Sequence, residues 1–122
     1  MTTVQAFQAY RQRMNEKILG SGHLGIQRFF NLDTACYRDG ALDARTKELL
    51  GLVASCVLRC DDCITYHLVR CVQLGFTDPE LYEALDVALV VGGSIFIPHM
   101  RRAFEVIEEL RELQAAGALP EG

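Results

Sequence analysis

Residues Arg59–Leu68 read R-C-D-D-C-I-T-Y-H-L, with two thiols three positions apart and an imidazole four positions after the second. If a helix starts at Cys60, then Cys60, Cys63 and His67 fall at i, i+3 and i+7. A rotation of about 100° per residue turns all three onto one stripe. The stretch can then be a redox pair, a set of metal ligands or a small apolar patch. Which of these holds depends on whether the surrounding chain is helical.

Outward from this stretch the periodicity is helical. Upstream, Asp43 is a good N-cap for a helix over 44–58 with Leu49, Leu50, Val53, Cys56 and Val57 on its apolar side. Downstream, the helix opened by Cys60 ends at Gly75, and Thr77-Asp78-Pro79-Glu80 forms a capping box with Pro in the tolerant first turn. The helix it starts runs to Val91, and Gly92-Gly93 interrupts it. A last helix over 94–115 carries Phe104, Ile107 and Leu110 on one side, with Pro98 near its start. At the N-terminal end, Val4, Phe7, Tyr10, Met14 and Ile18 recur at three- and four-residue steps before Gly20. A second helix over 24–37 is expected to bury Ile26, Phe29, Phe30 and Ala35 and to stop at Asp39-Gly40. There is no sustained period-two alternation and no Asn-Gly hairpin signal. The expected fold is all-α, about six helices in a single domain spanning residues 1–122.

Composition narrows the function. The chain has 122 residues, half of them hydrophobic, and its mean hydropathy is +0.12. That leaves more apolar surface than one small domain hides, so a homo-oligomer is expected. Net charge is −4 and the basic residues are scattered, so no stripe is available to neutralise phosphates and nucleic acid is not an expected partner. The most apolar run, Ala84–Ile97, is shorter than the ~20 residues that cross a bilayer and contains Asp86, so it reads as a core or interface helix. The N-terminus lacks the basic start and long apolar segment of a secretory signal. With five cysteines, an odd number, this suggests a reducing, cytoplasmic setting.

A thiol in the first turn of a helix is biased toward thiolate, and a second thiol one turn away can resolve its oxidised form as a disulfide. His67, one turn after Cys63, can accept a proton, and Glu48 on the preceding helix is the candidate to hold the imidazole. The plainer alternatives are that Glu48 is one more exposed carboxylate among sixteen acidic residues and that His67 is bonded to a backbone carbonyl. Tyr66 then packs, and His23 is an exposed loop or helix-start residue. Cys36, Cys56 and Cys71 are expected to be small core residues. The metal reading uses Cys60, Cys63, His67 and Cys71. At ~1.5 Å per residue the outer two stand roughly 16 Å apart along the axis. A zinc ion, which binds sulfur at about 2.3 Å, would need another ligand such as Glu48 or His99. Asp61 and Asp62 stabilise the first helical turn, but their charges oppose thiolate formation.

Three segments together, E-L-L at Glu48–Leu50, C-D-D-C-I-T-Y-H at Cys60–His67 and G-G-S-I-F-I-P-H at Gly92–His99, resemble the carboxymuconolactone decarboxylase-like superfamily. The closer likeness, over about residues 20–115, is to its alkylhydroperoxidase D-like branch. The resemblance implies an all-helical fold, assembly into trimers or hexamers, and an antioxidant, peroxiredoxin-like oxidoreductase. Such an enzyme turns over a hydroperoxide substrate with a dithiol reductant and needs no cofactor and no metal. It implies that Cys63 meets the peroxide, that Cys60 is the more exposed partner in the disulfide, and that Glu48 and His67 relay protons. Many peroxidase members carry a His between the cysteines, where this chain has Asp61 and Asp62. Lactone decarboxylases generally lack the C-x-x-C pair, so decarboxylation is disfavoured. A non-enzymatic redox sensor or binding oligomer is the other reading.

Overall fold

The computed structural model describes residues 1–121, and all regular structure among them is helical: α1 (Thr3–Gly20), α2 (Leu24–Cys36), α3 (Ala44–Val57), α4 (Asp61–Gln73), α5 (Asp78–Gly92), a 3₁₀ turn (Ser94–Phe96) and α6 (Ile97–Ala115). The chain divides into two compact units, Met1–Ala44 and the segment from Arg45 onward.

In the first unit, α1 starts with a capping box that the sequence reading missed. Thr2 Oγ1 accepts from the Gln5 amide at 3.1 Å, and Gln5 Oε1 accepts from the Thr2 amide at 2.9 Å. α2 is capped by His23, whose Nδ1 accepts from the Ile26 amide at 3.3 Å. The expected buried face of α2 is not buried: the helix has no buried residue, Phe29 is 67% exposed and Ala35 is exposed. Cys36, in its last turn, is exposed as well, which corrects its reading as a core thiol. An apolar stripe becomes a core only when something packs on it, and periodicity alone does not supply that surface.

In the second unit the core is built from Leu52 and Cys56 of α3, Ile64, Leu68 and Val72 of α4, Leu81, Leu85 and Ala88 of α5, Phe96, and Ala103, Ile107 and Leu110 of α6. Ile64, Leu68 and Val72 recur every four residues, and α4 packs chiefly against α6. Each such Leu or Ile contributes about 1.5–3 kcal/mol by leaving water. The expected capping box of α5 is present: Thr77 Oγ1 accepts from the Glu80 amide, and Glu80 Oε1 accepts from the Thr77 amide at 2.9 Å. α5 ends at Gly93, whose φ of 81° and ψ of −174° suit only a residue without a Cβ. α3 departs from expectation in its rotation. Its inward stripe is Glu48, Leu52, Ser55 and Cys56, while Leu50 is 53% exposed and Leu49, Val53 and Val57 are half-buried. The stripe turns so that a carboxylate faces inward, which is tolerated only where that carboxylate is paired.

Candidate redox site

The site begins where α3 stops. The Arg59 amide donates to Cys56 O at 3.0 Å and the Cys60 amide to Ser55 O at 3.1 Å, the paired bonds of a Schellman turn. Arg59 occupies the left-handed position of that turn, φ 58°, where glycine is usual. The turn delivers Cys60 to the N-cap of α4, one residue outside the helix rather than in its first turn. There its sulfur accepts from the Cys63 amide at 3.3 Å. Cys60 and Cys63 are joined as a disulfide, with Cα atoms 5.2 Å apart. The two sulfurs thus sit together at the positive end of the α4 dipole. Their exposure is the reverse of what the resemblance implies: Cys63 is exposed and Cys60 is half-buried. The cap explains the order, because the chain turns inward at Cys60 while Cys63 stands on the outer side of the first turn.

One turn after Cys63, His67 is buried and its Nδ1 lies 2.8 Å from Glu48 Oε2. Glu48 is only 3% exposed, so it is not one more surface carboxylate. A carboxylate can only accept, so Nδ1–H donates and Nε2 is left as the basic nitrogen of the ring. The second carboxylate oxygen, Oε1, stands 3.5 Å from Arg70 Nε, a partner the sequence reading missed although Arg70 follows His67 at helical spacing. Tyr66 meets the His67 ring edge-on, with centroids 5.1 Å apart.

Cys71 and Cys56 lie in the core, and burial pushes both thiols up to about 12. For Cys71 the Glu48 charge adds to that effect. Neither is a thiolate at neutral pH. Among the described residues no group of three or more His, Cys, Asp or Glu side chains is arranged to hold a metal ion.

A second cluster flanks the disulfide. Asp61, the first residue of α4, accepts from His99 Nδ1 at 2.8 Å through Oδ1 and from Arg102 through Oδ2, both donors coming from α6. Partial burial works to raise the Asp61 carboxyl, but the two hydrogen bonds outweigh it and hold the group below its ordinary value. The charge expected to oppose thiolate formation is therefore compensated at Asp61. Asp62 is exposed. This pairing spans 38 and 41 residues of sequence, and no local spacing signals it.

Comparison with known proteins places this arrangement. The curated relatives include a protein described as uncharacterized protein 4 in the cox locus of Paracoccus denitrificans, 32% identical over 82 residues, which are 67% of this chain and 74% of that one. An uncharacterized protein from Cupriavidus necator is 32% identical over 59 residues, 48% of this chain and 52% of that one. Among solved structures, a carboxymuconolactone decarboxylase family protein from Thermotoga maritima, for which a part in the antioxidative response has been suggested, superposes with a TM-score of 0.89. It is 63% identical over 93% of this chain and 96% of its own. A family member from Legionella pneumophila superposes with a TM-score of 0.79, at 29% identity over 87% of this chain and 95% of its own. Residues 26–109, which hold α3, the disulfide, the Glu48–His67 pair and the Asp61 cluster, match the family as a whole, and the chain belongs to the carboxymuconolactone decarboxylase family.

Proposed function

We propose that this chain is a thiol-dependent peroxidase or disulfide reductase of the alkylhydroperoxidase D-like kind, cycling the Cys60–Cys63 pair. The observation that carries the reading is the disulfide at the α4 N-terminus with a buried Glu48–His67 pair one turn along the same helix. In the reduced enzyme Cys63, the exposed member, is the thiolate that attacks the distal oxygen of a hydroperoxide. The O–O bond breaks, the alkoxide leaves with a proton as alcohol, and Cys63 becomes a sulfenic acid. Cys60 then attacks the Cys63 sulfur, water leaves, and the disulfide forms. A dithiol reductant reverses this by exchange, giving two protein thiols and its own disulfide. His67, oriented by Glu48, takes and returns the protons of these steps. Nothing in the reading calls on a cofactor or a metal.

The exposed apolar side chains Val87, Val90, Val91 and Ile95 around the end of α5 support assembly as a homo-oligomer. None of the described helices is long and apolar enough to cross a membrane. Cys36, Cys56 and Cys71 stand outside any disulfide, which suits a cytoplasmic setting.

Peroxide consumption with dithiothreitol as reductant tests the proposal on wild type beside Cys60→Ser and Cys63→Ser, with mass spectrometry of the oxidised product. Turnover in wild type, lost in Cys63→Ser, is expected. An unchanged rate in Cys63→Ser refutes the assignment. The exposed Asp62 between the thiols favours the second reading, a redox sensor, which forms the disulfide reversibly and shows no turnover with excess peroxide and reductant.

A further inference from the structure

We propose that Asp61, His99 and Arg102 form a charge clamp that sets the thiolate content of the reduced Cys60–Cys63 pair. Asp61 acts in it as a positioning residue that holds two basic side chains of α6 at the first turn of α4. This deepens the reading of the site as a redox pair, and it concerns residues outside the Glu48–His67 pair.

Two acidic residues lie between the thiols, and left alone each would disfavour a thiolate beside it. The structure treats them differently. Asp62 is exposed, whereas each oxygen of Asp61 is engaged by a separate donor from α6, His99 at Oδ1 and Arg102 at Oδ2. An ionised Asp61 can only accept, so His99 Nδ1 carries the shared proton, and Arg102 brings a full positive charge at any working pH. Arg102 thereby offsets one of the two acidic charges at the α4 N-terminus and His99 holds Asp61 by a hydrogen bond, so one uncompensated negative charge, on the exposed Asp62, remains where two would otherwise stand. The helix amides, one of which already reaches Cys60 Sγ, are then left to favour the thiolate. Arg102 is mostly exposed, its side chain 71% accessible. Its engagement with Asp61 is therefore a choice of partner and not a packing requirement.

The clamp makes a prediction of opposite signs. Removing the negative member leaves the Arg102 charge uncompensated and raises the thiolate fraction; removing the positive member lowers it. A unit charge one residue from the sulfur, in surroundings between protein and water in effective dielectric, shifts such an equilibrium roughly three- to fivefold.

The test is the rate at which iodoacetamide alkylates Cys60 and Cys63 in the fully reduced protein at pH 7, followed peptide by peptide. The thiolate displaces iodide, so the rate reports its fraction. Asp61→Asn is expected to label about three- to fivefold faster and Arg102→Gln slower by a similar factor, with Arg102→Lys returning toward wild type. Protection of Cys56 and Cys71 in the same digests confirms folding. Both variants moving in the same direction, as loosened packing would cause, overturns the clamp, and so does either remaining within 1.5-fold of wild type, a threshold of about 0.2 kcal/mol. If Asp61→Asn does not fold, Arg102→Gln decides alone: slower labelling supports the clamp, unchanged or faster labelling overturns it. A wild type that labels as described yet shows no peroxide turnover sinks the peroxidase reading and leaves the clamp standing.

Discussion

Glu48 is the residue whose removal the structure prices most clearly. Glu48→Ala takes a carboxylate that is 3% exposed away from His67, itself 8% exposed, at a bond of 2.8 Å. A charge-assisted hydrogen bond between buried groups contributes about 1.5–3 kcal/mol, and stranding the imidazole without its acceptor adds to the loss. Arg70 adds less, because at 3.5 Å its Nε stands beyond ordinary hydrogen-bond distance of Glu48 Oε1. The net expectation is a loss of about 2–4 kcal/mol. In a chain of this length that is a fall in Tm of roughly 8–15 °C by calorimetry at pH 7. Glu48→Gln keeps the shape and one acceptor oxygen and should lose about half as much. Glu108→Ala, on the exposed face of α6, is the control and should stay within ~0.5 kcal/mol of wild type. A Glu48→Ala protein as stable as that control refutes the idea that the pair is a buried, energetically coupled unit. The orienting role assigned to Glu48 would go with it.

Thiol accessibility gives a second test. Native oxidised protein should take one alkyl label, at Cys36, native reduced protein three, and denatured reduced protein all five, because burial holds Cys56 and Cys71 as unreactive thiols near 12; labelling of Cys71 in the native state contradicts this. Asp61 supplies a pH signature: its folded-state carboxyl lies below the ordinary 3.8, so its contribution is present above that value and lost as pH falls through the folded one. Asp61→Asn should therefore be less stable than wild type at pH 7 and converge with it at the acid end of a urea-midpoint series, and a gap that persists there argues against the ion pair. Arg59→Gly relieves a left-handed non-glycine residue at φ 58° and should gain up to ~1 kcal/mol in urea unfolding, and a loss would mean the Arg59 side chain outweighs the strain. For the proposed homo-oligomer, Val90→Asp, at a position 78% exposed, should leave helix content unchanged and give a smaller species than wild type in analytical ultracentrifugation; an unchanged sedimentation coefficient removes this face from the proposed interface.

What the sequence made legible follows the range of the interactions involved. The Thr77–Glu80 box and the Gly93 break are decided within four residues and stand where their spacing places them; the two thiols pair as their spacing allows, with Cys60 at the N-cap one residue before α4 rather than in its first turn. The Glu48–His67 pair spans 19 residues. Spacing allowed it only as a possibility, and the family resemblance selected it. α3 failed as a local reading for a related reason. Counting apolar residues favours a stripe through Leu49, Leu50 and Val53, yet the helix turns Glu48 inward, because a paired carboxylate can replace an apolar contact there. Hydrophobic periodicity treats every carboxylate as solvated, so it misorients the helix that carries the functional one. The Asp61 cluster lies beyond any local rule. Asp61 and Asp62 look equivalent in sequence, and only α6, about forty residues later, makes one a paired group and leaves the other in water. On the proposed clamp the chemistry of the two thiols depends on α6, where the sequence singled out His99 without its partner and gave no sign of Arg102. A substitution at His99 or Arg102 should alter thiol reactivity while leaving every element of the C-x-x-C motif in place.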